Sequence, residues 1–264
     1  SERTKMANYT TADIKEVREK TGAGMLDVKK ALDEADGDHA KAEEILRVKG
    51  LKGITKREGR SATDGLVAAH VGDGVGTLVE VNCETDFVAK NDRFASLADK
   101  VLAGAVASGA TTVEDLLATE VDGKAVGEFV TDAAATLGEK VEVRRVAQLK
   151  GEHIALYLHR TNPDLPPQIG VLLATGTDAP GVAKDIAMHA AAMSPTVLSR
   201  DEVTADTVET ERRIAEQTAR EEGKPEQAIG RIVEGRVNAY YKDNVLLDQP
   251  FAKDPKKSVA KVVE

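Results

Sequence analysis

The chain has 264 residues, which is enough for one large domain or two to three smaller ones. Its formal net charge of −9 argues against a protein that wraps a nucleic acid, because the phosphates would demand a basic face. Cys83 is the single cysteine, so no internal disulfide can form, and no apolar run approaches the roughly 20 residues of a membrane-spanning helix; we expect a cytoplasmic protein.

The first 50 residues predict three short helices separated by glycines. Thr11 is expected to cap the first helix, which Gly22 and Gly24 end. The second helix covers Met25–Ala35. Asp38 caps the third helix, and Gly50 is predicted to close it.

Neither the residues before these helices nor those after them are predicted to form a helix or strand. Residues 1–5 precede Met6, which resembles a native start, so we expect them to be a remnant of expression. Residues 52–60 are basic and interrupted by glycine, which is typical of a solvated linker. Contact with RNA is the alternative role for this basic stretch, although no aromatic residues interleave with it for base stacking.

From Gly65 the apolar residues alternate, which predicts strands over 66–71 and 77–81 joined by a hairpin turn at Gly72–Gly74. Asn91 is expected to cap a helix, and a second helix should end at Gly138. Strands are then predicted over 141–149, 153–159 and 170–175, followed by a helix over 182–193.

Two segments of this region resemble each other. Leu78–Asp86 and Val171–Asp178 each carry a strand, a Thr-Asp pair and a following helix. The echo indicates two related halves in one core, and convergent helix capping is the alternative explanation.

The segment 201–243 predicts an antiparallel pair of helices. Narrow apolar stripes run along strongly charged sequence on both sides of Gly223–Pro225, where a helix-ending glycine is followed by a helix-starting proline. Each helix can bury only a seam, so the pair is expected to project from the body as a coiled-coil hairpin. Residues 244–264 are expected to return to the core.

Catalytic signals are sparse. Cys83 would be a nucleophile only with a histidine base placed by the fold, and the five histidines lack metal-ligand spacing. The glycines of Gly72–Gly76 superficially resemble a phosphate loop, but a strand follows them where a helix N-terminus would be needed.

The segment Glu84–Val88 allows two interpretations. In the first, Asp86 caps a helix and Phe87 belongs to the core. In the second, Phe87 is exposed beside a carboxylate at a loop tip, an arrangement suited to insertion into a pocket of another protein.

Several motifs of the chain resemble those of the bacterial translation elongation factor Ts family. They are Val17–Asp27, Glu80–Lys90, Gly138–Lys140 with Arg144–Ala147, Ile186–His189, and Gly223–Pro225 with Val233–Arg236. The resemblance implies an α+β fold with a ubiquitin-associated-like three-helix module over 7–56 and a core of two similar subdomains over 57–200. Those subdomains would span about 57–140 and 141–200.

The same resemblance implies a guanine nucleotide exchange factor whose partner is the GTPase elongation factor Tu. It implies no cofactor, no metal, no catalytic residue, no direct nucleotide binding, no membrane and no specific nucleic acid. Its partner-binding residues would be Arg18, Met25 and Leu26 in the module, Thr85, Asp86, Phe87 and Val88 where Mg²⁺ of the GTPase is displaced, and His159 in the second subdomain. The alternatives are an RNA- or ribosome-binding module and a hydrolase built on Cys83.

Overall fold

Helices alternate with small antiparallel sheets in the computed structural model, which describes residues 8–264. The α+β class is therefore confirmed. The interpretations of residues 1–5, of Met6 and of the start of the module at Ala7 lie outside the described residues. Within the described range, no helix is both long and apolar enough to cross a membrane.

The α-helices, in chain order, are α1 (Thr11–Thr21), α2 (Met25–Glu34), α3 (His39–Arg57), α4 (Asp86–Ala89), α5 (Asp92–Ser108), α6 (Val113–Ala118), α7 (Val126–Leu137), α8 (Pro180–Met193), α9 (Ala205–Glu221), α10 (Glu226–Asn244) and α11 (Val259–Val263). The strands are β1 (Asp64–Gly72), β2 (Val75–Cys83), β3 (Glu120–Val121), β4 (Lys124–Ala125), β5 (Glu142–Lys150), β6 (His153–His159), β7 (Ile169–Thr175), β8 (Pro250–Phe251) and β9 (Asp254–Ser258).

The chain divides into two compact units. The first contains the described residues up to Lys150 together with Leu158–Gly170, and the second contains Gly151–Tyr157 and Val171–Glu264. The division falls within the two-stranded sheet of β6 and β7.

Helix α1 begins one residue earlier than the sequence predicted. Thr10, and not Thr11, is the N-cap: its hydroxyl accepts the backbone N–H of Asp13, and the Asp13 carboxylate accepts the N–H of Thr10 at 2.7 Å. This reciprocal pair requires a carboxylate three residues after the cap, which only Thr10 has. A small apolar core holds α1, α2 and α3 together, formed by Ile14, Val17, Val28, Ala31, Leu32, Ala35 and Ala42.

The predicted end of α3 at Gly50 is wrong, and so is the predicted linker for residues 52–57, because α3 continues to Arg57. Gly50 lies inside the helix, and a Cβ placed on it would lie 2.7 Å from the Cβ of Ala135 in α7. The missing side chain therefore allows two helices to approach closely. Arg57 is 9% exposed, so it is not a solvated linker residue either.

The sheet of the first unit has the order β1-β2-β5, and both pairs are antiparallel. The predicted hairpin turn is confirmed, since Asp73 and Gly74 both take positive φ between β1 and β2. Asn91 caps α5 as predicted. Helix α5 packs on the sheet through Phe94 and Val101, both fully buried. Helix α6 and the short strands β3 and β4 were not predicted.

In the second unit, α9 and α10 lie side by side and run antiparallel. Arg212 pairs with Glu234, and Arg236 pairs with Glu222 at 2.9 Å. Their buried seam is narrow and consists of Ala215, Ala219, Ile229 and Val237.

A buried polar group joins α8 to the residues that follow α10. The backbone N–H of Ala252 donates to His189 Nδ1 at 3.0 Å, so the ring proton lies on Nε2, which donates to Gln249 Oε1 at 2.9 Å. The Gln249 amide in turn donates to the carbonyl of Asp243 at 2.8 Å. His189 and Gln249 are 2% and 4% exposed, and their mutual hydrogen bonds make that burial possible.

Candidate partner-binding site

The segment between β2 and α5 presents an aromatic side chain to solvent. Thr85 is the N-cap of α4, and its hydroxyl accepts the N–H of Val88 at 3.3 Å. Asp86 and Phe87 therefore occupy the first turn, where both are exposed. Phe87 is 77% exposed, and Lys90 Nζ lies 5.5 Å from the centre of its ring. The core interpretation of Phe87 is wrong, and Thr85 takes the capping role that the first interpretation gave to Asp86.

The carboxylate of Glu139 accepts three hydrogen bonds from the residues that precede Asp86. Glu139 Oε1 accepts the backbone N–H groups of Glu84 and Thr85 at 3.1 and 3.0 Å. Glu139 Oε2 accepts the Thr85 hydroxyl at 2.7 Å. Charge-assisted hydrogen bonds of this kind are about twice as strong as neutral ones, so the turn that carries Phe87 is firmly anchored.

The anchoring is reciprocal. Glu84 Oε1 accepts the backbone N–H of Lys140 at 2.7 Å, and Lys140 Nζ donates to the carbonyl of Glu58 at 2.9 Å. Gly138 has the left-handed conformation and ends α7 immediately before Glu139 and Lys140. It turns the chain toward the end of β2. Sequence reasoning missed Glu139 as a site residue, although it lies in one of the motifs that carry the resemblance.

Cys83 does not have the properties of a nucleophile. Its side chain is fully buried, and its thiol donates to the carbonyl of Thr85 at 3.2 Å. Burial, together with the nearby carboxylates of Glu139 and Asp64, raises the pKa of the thiol to about 12. The reactive thiolate is thus strongly disfavoured at neutral pH, which removes the basis of the hydrolase alternative.

The predicted residues of the module form a second exposed patch. Met25 and Leu26 open α2 and are 51% and 66% exposed, which is unusual for large apolar side chains. Arg18 is exposed near the end of α1 and lines the same groove of about 470 Å³ as Met25. Both elements belong to the first unit, as does the loop of Phe87.

His159 lies at the end of β6. Its side chain is half-buried, and its carbonyl accepts the N–H of Gln168 at 3.0 Å. The structure thus places it in a strand, as predicted, and its role stays a prediction.

One cluster among the described residues has the groups of a metal site, namely Asp13, Glu16 and His39. His39 Nε2 lies 2.9 Å from the carboxylate of Asp13, and Nδ1 lies 3.7 Å from that of Glu16. Asp13 is already engaged by the cap of α1. The hydrogen bond between His39 and Asp13 accounts for this cluster without a metal.

Comparison with known proteins identifies the family of the chain. Residues 84–264 match the model of the family described as Elongation factor TS. The elongation factor Ts of Micrococcus luteus is 64% identical over 260 residues, covering 97% of this chain and 94% of that protein. The chain belongs to the bacterial elongation factor Ts family. Similar relatives carry the same name in an Arthrobacter strain, 64% identical, and in Beutenbergia cavernae, 63% identical; each match covers 98% of this chain and 94% of the relative.

The role of the chain follows from that membership. It is a nucleotide exchange factor of translation elongation, and it is not an enzyme in the usual sense. The family match begins at Glu84, directly at the segment that exposes Phe87.

Proposed function

We propose that the chain binds elongation factor Tu carrying GDP and inserts Phe87, with Asp86 beside it, between two helices of the GTPase domain. The insertion displaces the Mg²⁺ that holds GDP, so GDP leaves and GTP can bind. The observation that carries this proposal is the 77% exposure of Phe87 on a turn anchored by Glu139. An exposed aromatic on a rigid support is the type of residue that dominates binding at protein interfaces.

The mechanism requires no catalytic group and no cofactor on this chain. Tight GDP binding relies on Mg²⁺ and on backbone donors around the phosphates. A protein that binds the nucleotide-free GTPase more tightly than the GDP form must weaken GDP binding by the same factor. Each tenfold weakening requires about 1.4 kcal/mol of differential affinity.

The other predicted residues provide additional contacts in this proposal. Arg18, Met25 and Leu26 bind the GTPase domain, and their exposure supports that role. Thr85 and Val88 position the inserted turn, as their cap hydrogen bond supports. His159 contacts a second domain of the partner.

The finer architecture belongs to the same proposal. Helices α1–α3 form a ubiquitin-associated-like module, the strand–helix units of β2 with α5 and of β7 with α8 derive from two similar subdomains, and α9 with α10 form the coiled-coil hairpin. We place the protein in the cytoplasm, where translation takes place. Arg57 does not support the RNA-binding alternative, because its side chain is buried and does not face solvent.

Release of fluorescent GDP from elongation factor Tu tests the proposal. Adding this protein should accelerate release strongly at millimolar Mg²⁺. Chelating Mg²⁺ beforehand should accelerate spontaneous GDP release. The protein should then accelerate release less, because the Mg²⁺ that it would displace has already been removed. Equal release rates with and without the protein would reject the exchange mechanism; an undiminished gain after chelation would reject Mg²⁺ displacement.

A further inference from the structure

Helix α3 belongs to two apolar clusters at once. Ala42, near its start, is part of the core that holds α1 and α2. Ile54, near its end, packs against the core cluster of the β1-β2-β5 sheet. Because the helix is continuous from His39 to Arg57, the three-helix module is joined to the sheet by a stiff element.

The module also touches α7 at positions that leave no room for larger side chains. A Cβ on Gly50 would lie 2.7 Å from the Cβ of Ala135 and 3.2 Å from its Cα and carbonyl oxygen. A Cβ on Gly22 would lie 2.6 Å from Thr136 Cγ2. Arg93 of α5 adds a hydrogen bond, donating from Nη2 to the carbonyl of Glu19 at 3.1 Å. The module is therefore docked on α7 and α5.

Helix α7 is also the element that positions the exposed phenylalanine. Glu139, which holds Thr85 and thereby the turn of Phe87, follows Ala135 by only four residues. The contact at Ala135 fixes the module, and the carboxylate of Glu139 fixes the turn. Both exposed patches are thus positioned by the same end of one helix.

We infer that Gly50 is a positioning residue: by allowing α3 to lie against Ala135, it holds Met25 and Leu26 in a fixed relation to Phe87, so that the two patches form one preorganised surface for the GTPase. This inference rests on the proposed function. A rigid surface makes the second contact intramolecular once the first has formed, and it avoids the entropy cost of ordering the module during binding.

Gly50→Ala is the decisive variant. Its new methyl group must push α3 and α7 apart by roughly 1 Å to reach ordinary contact distance. The double variant Gly50→Ala/Ala135→Gly removes the methyl group at 2.7 Å and should restore most of the fit, because the remaining contacts at 3.2 Å require a shift of only a few tenths of an ångström. Gly230→Ala is the matched control, since Gly230 is also inside a helix and nothing lies within 4 Å of its added Cβ.

The first measurement concerns the free protein. Spin labels on cysteines introduced at Lys30 and Ser96, both exposed, report the distance between module and core, while buried Cys83 stays unlabelled. We expect a narrow distance distribution in the parent protein and in the Gly230 control. Gly50→Ala should broaden or shift it, and the double variant should narrow it again. A broad distribution in the parent protein would overturn the inference.

The second measurement is affinity for the GTPase. We expect Gly50→Ala to weaken binding on the order of 10-fold or more, the size of effect expected when two linked contacts lose their fixed spacing, and the double variant to recover it. Unchanged affinity in Gly50→Ala would overturn the positioning role. Failure of the proposed function would show differently, as a parent protein that does not accelerate GDP release at all.

Discussion

Replacing Phe87 by alanine separates the contribution of this side chain to the stability of the free protein from its contribution to GDP release by the partner. About a quarter of the side chain is buried, since 77% is exposed. Full burial of a phenylalanine contributes about 1.5–3 kcal/mol, so the buried quarter stabilises the free protein by about 0.4–0.7 kcal/mol. The exposed interaction of the ring with Lys90 contributes about 0.5 kcal/mol more. We therefore expect Phe87→Ala to destabilise the free protein by about 1 kcal/mol, which lowers Tm by about 2–4 °C.

The same variant should also slow exchange. If insertion buries the exposed three quarters of the ring in the transition state for release, the variant loses about 1.1–2.3 kcal/mol of stabilisation. That loss slows stimulated GDP release about 6- to 50-fold. Stopped-flow release of fluorescent GDP at saturating protein measures it, because saturation removes the effect of weaker binding.

Phe94→Ala is the matched control for the fold. Phe94 is fully buried in the core of the first unit, so its removal should cost about 3–5 kcal/mol of stability. If Phe87→Ala melts as low as the Phe94 variant, or if it drives release at the normal rate under saturation, insertion of the Phe87 side chain is refuted.

Three further outcomes follow from the same geometry. Met25→Ala/Leu26→Ala should weaken binding to the GTPase while lowering the free energy of unfolding by only about 1–2.5 kcal/mol, since roughly half of Met25 and a third of Leu26 are buried; unchanged affinity by titration would exclude this patch. Glu139→Ala should cost about 1–3 kcal/mol in denaturant unfolding and also slow release, because it leaves two backbone donors without their acceptor; the first effect without the second would mean that the turn needs no anchor. Cys83 should resist alkylation at pH 8 in the folded protein, and the stability of the protein should fall as the pH rises from about 9 toward 12, because the unfolded thiol ionises there and the folded one does not; a Cys83→Ala variant with the same alkaline loss would contradict this.

The sequence predicts an element well when the residues that begin or end it are its neighbours in the chain. The turn at Asp73 and Gly74 requires positive φ, and the sequence offers residues that tolerate it. Gly50 shows where such local prediction fails. A glycine inside a helical pattern predicts a helix end, but here it serves the approach of α7, and a contact with residue 135 leaves no trace near residue 50.

The site was predicted only in part for the same reason. A phenylalanine beside an aspartate at a strand end fits both a core position and an exposed tip, and the pattern alone favoured the core position, which is wrong for Phe87. The resemblance favoured the exposed tip, which the structure confirms for Phe87. Glu139 could not be found from pattern, because the residues it holds lie 54 and 55 positions away in the chain.

The buried hydrogen bonds of His189 have a consequence for the order in which the protein folds during synthesis. The partners of this side chain, Gln249 and Ala252, are made 60 and 63 residues after it. Until they leave the ribosome, α8 carries a polar group that cannot be buried without loss of its hydrogen bonds. The strands β1, β2 and β5 of the first unit are complete by Lys150, and Pro167, which accepts the N–H of Val67 in β1, also precedes α8. We therefore expect the first unit to acquire protease resistance on the ribosome well before the second, whose closure waits for its last strands.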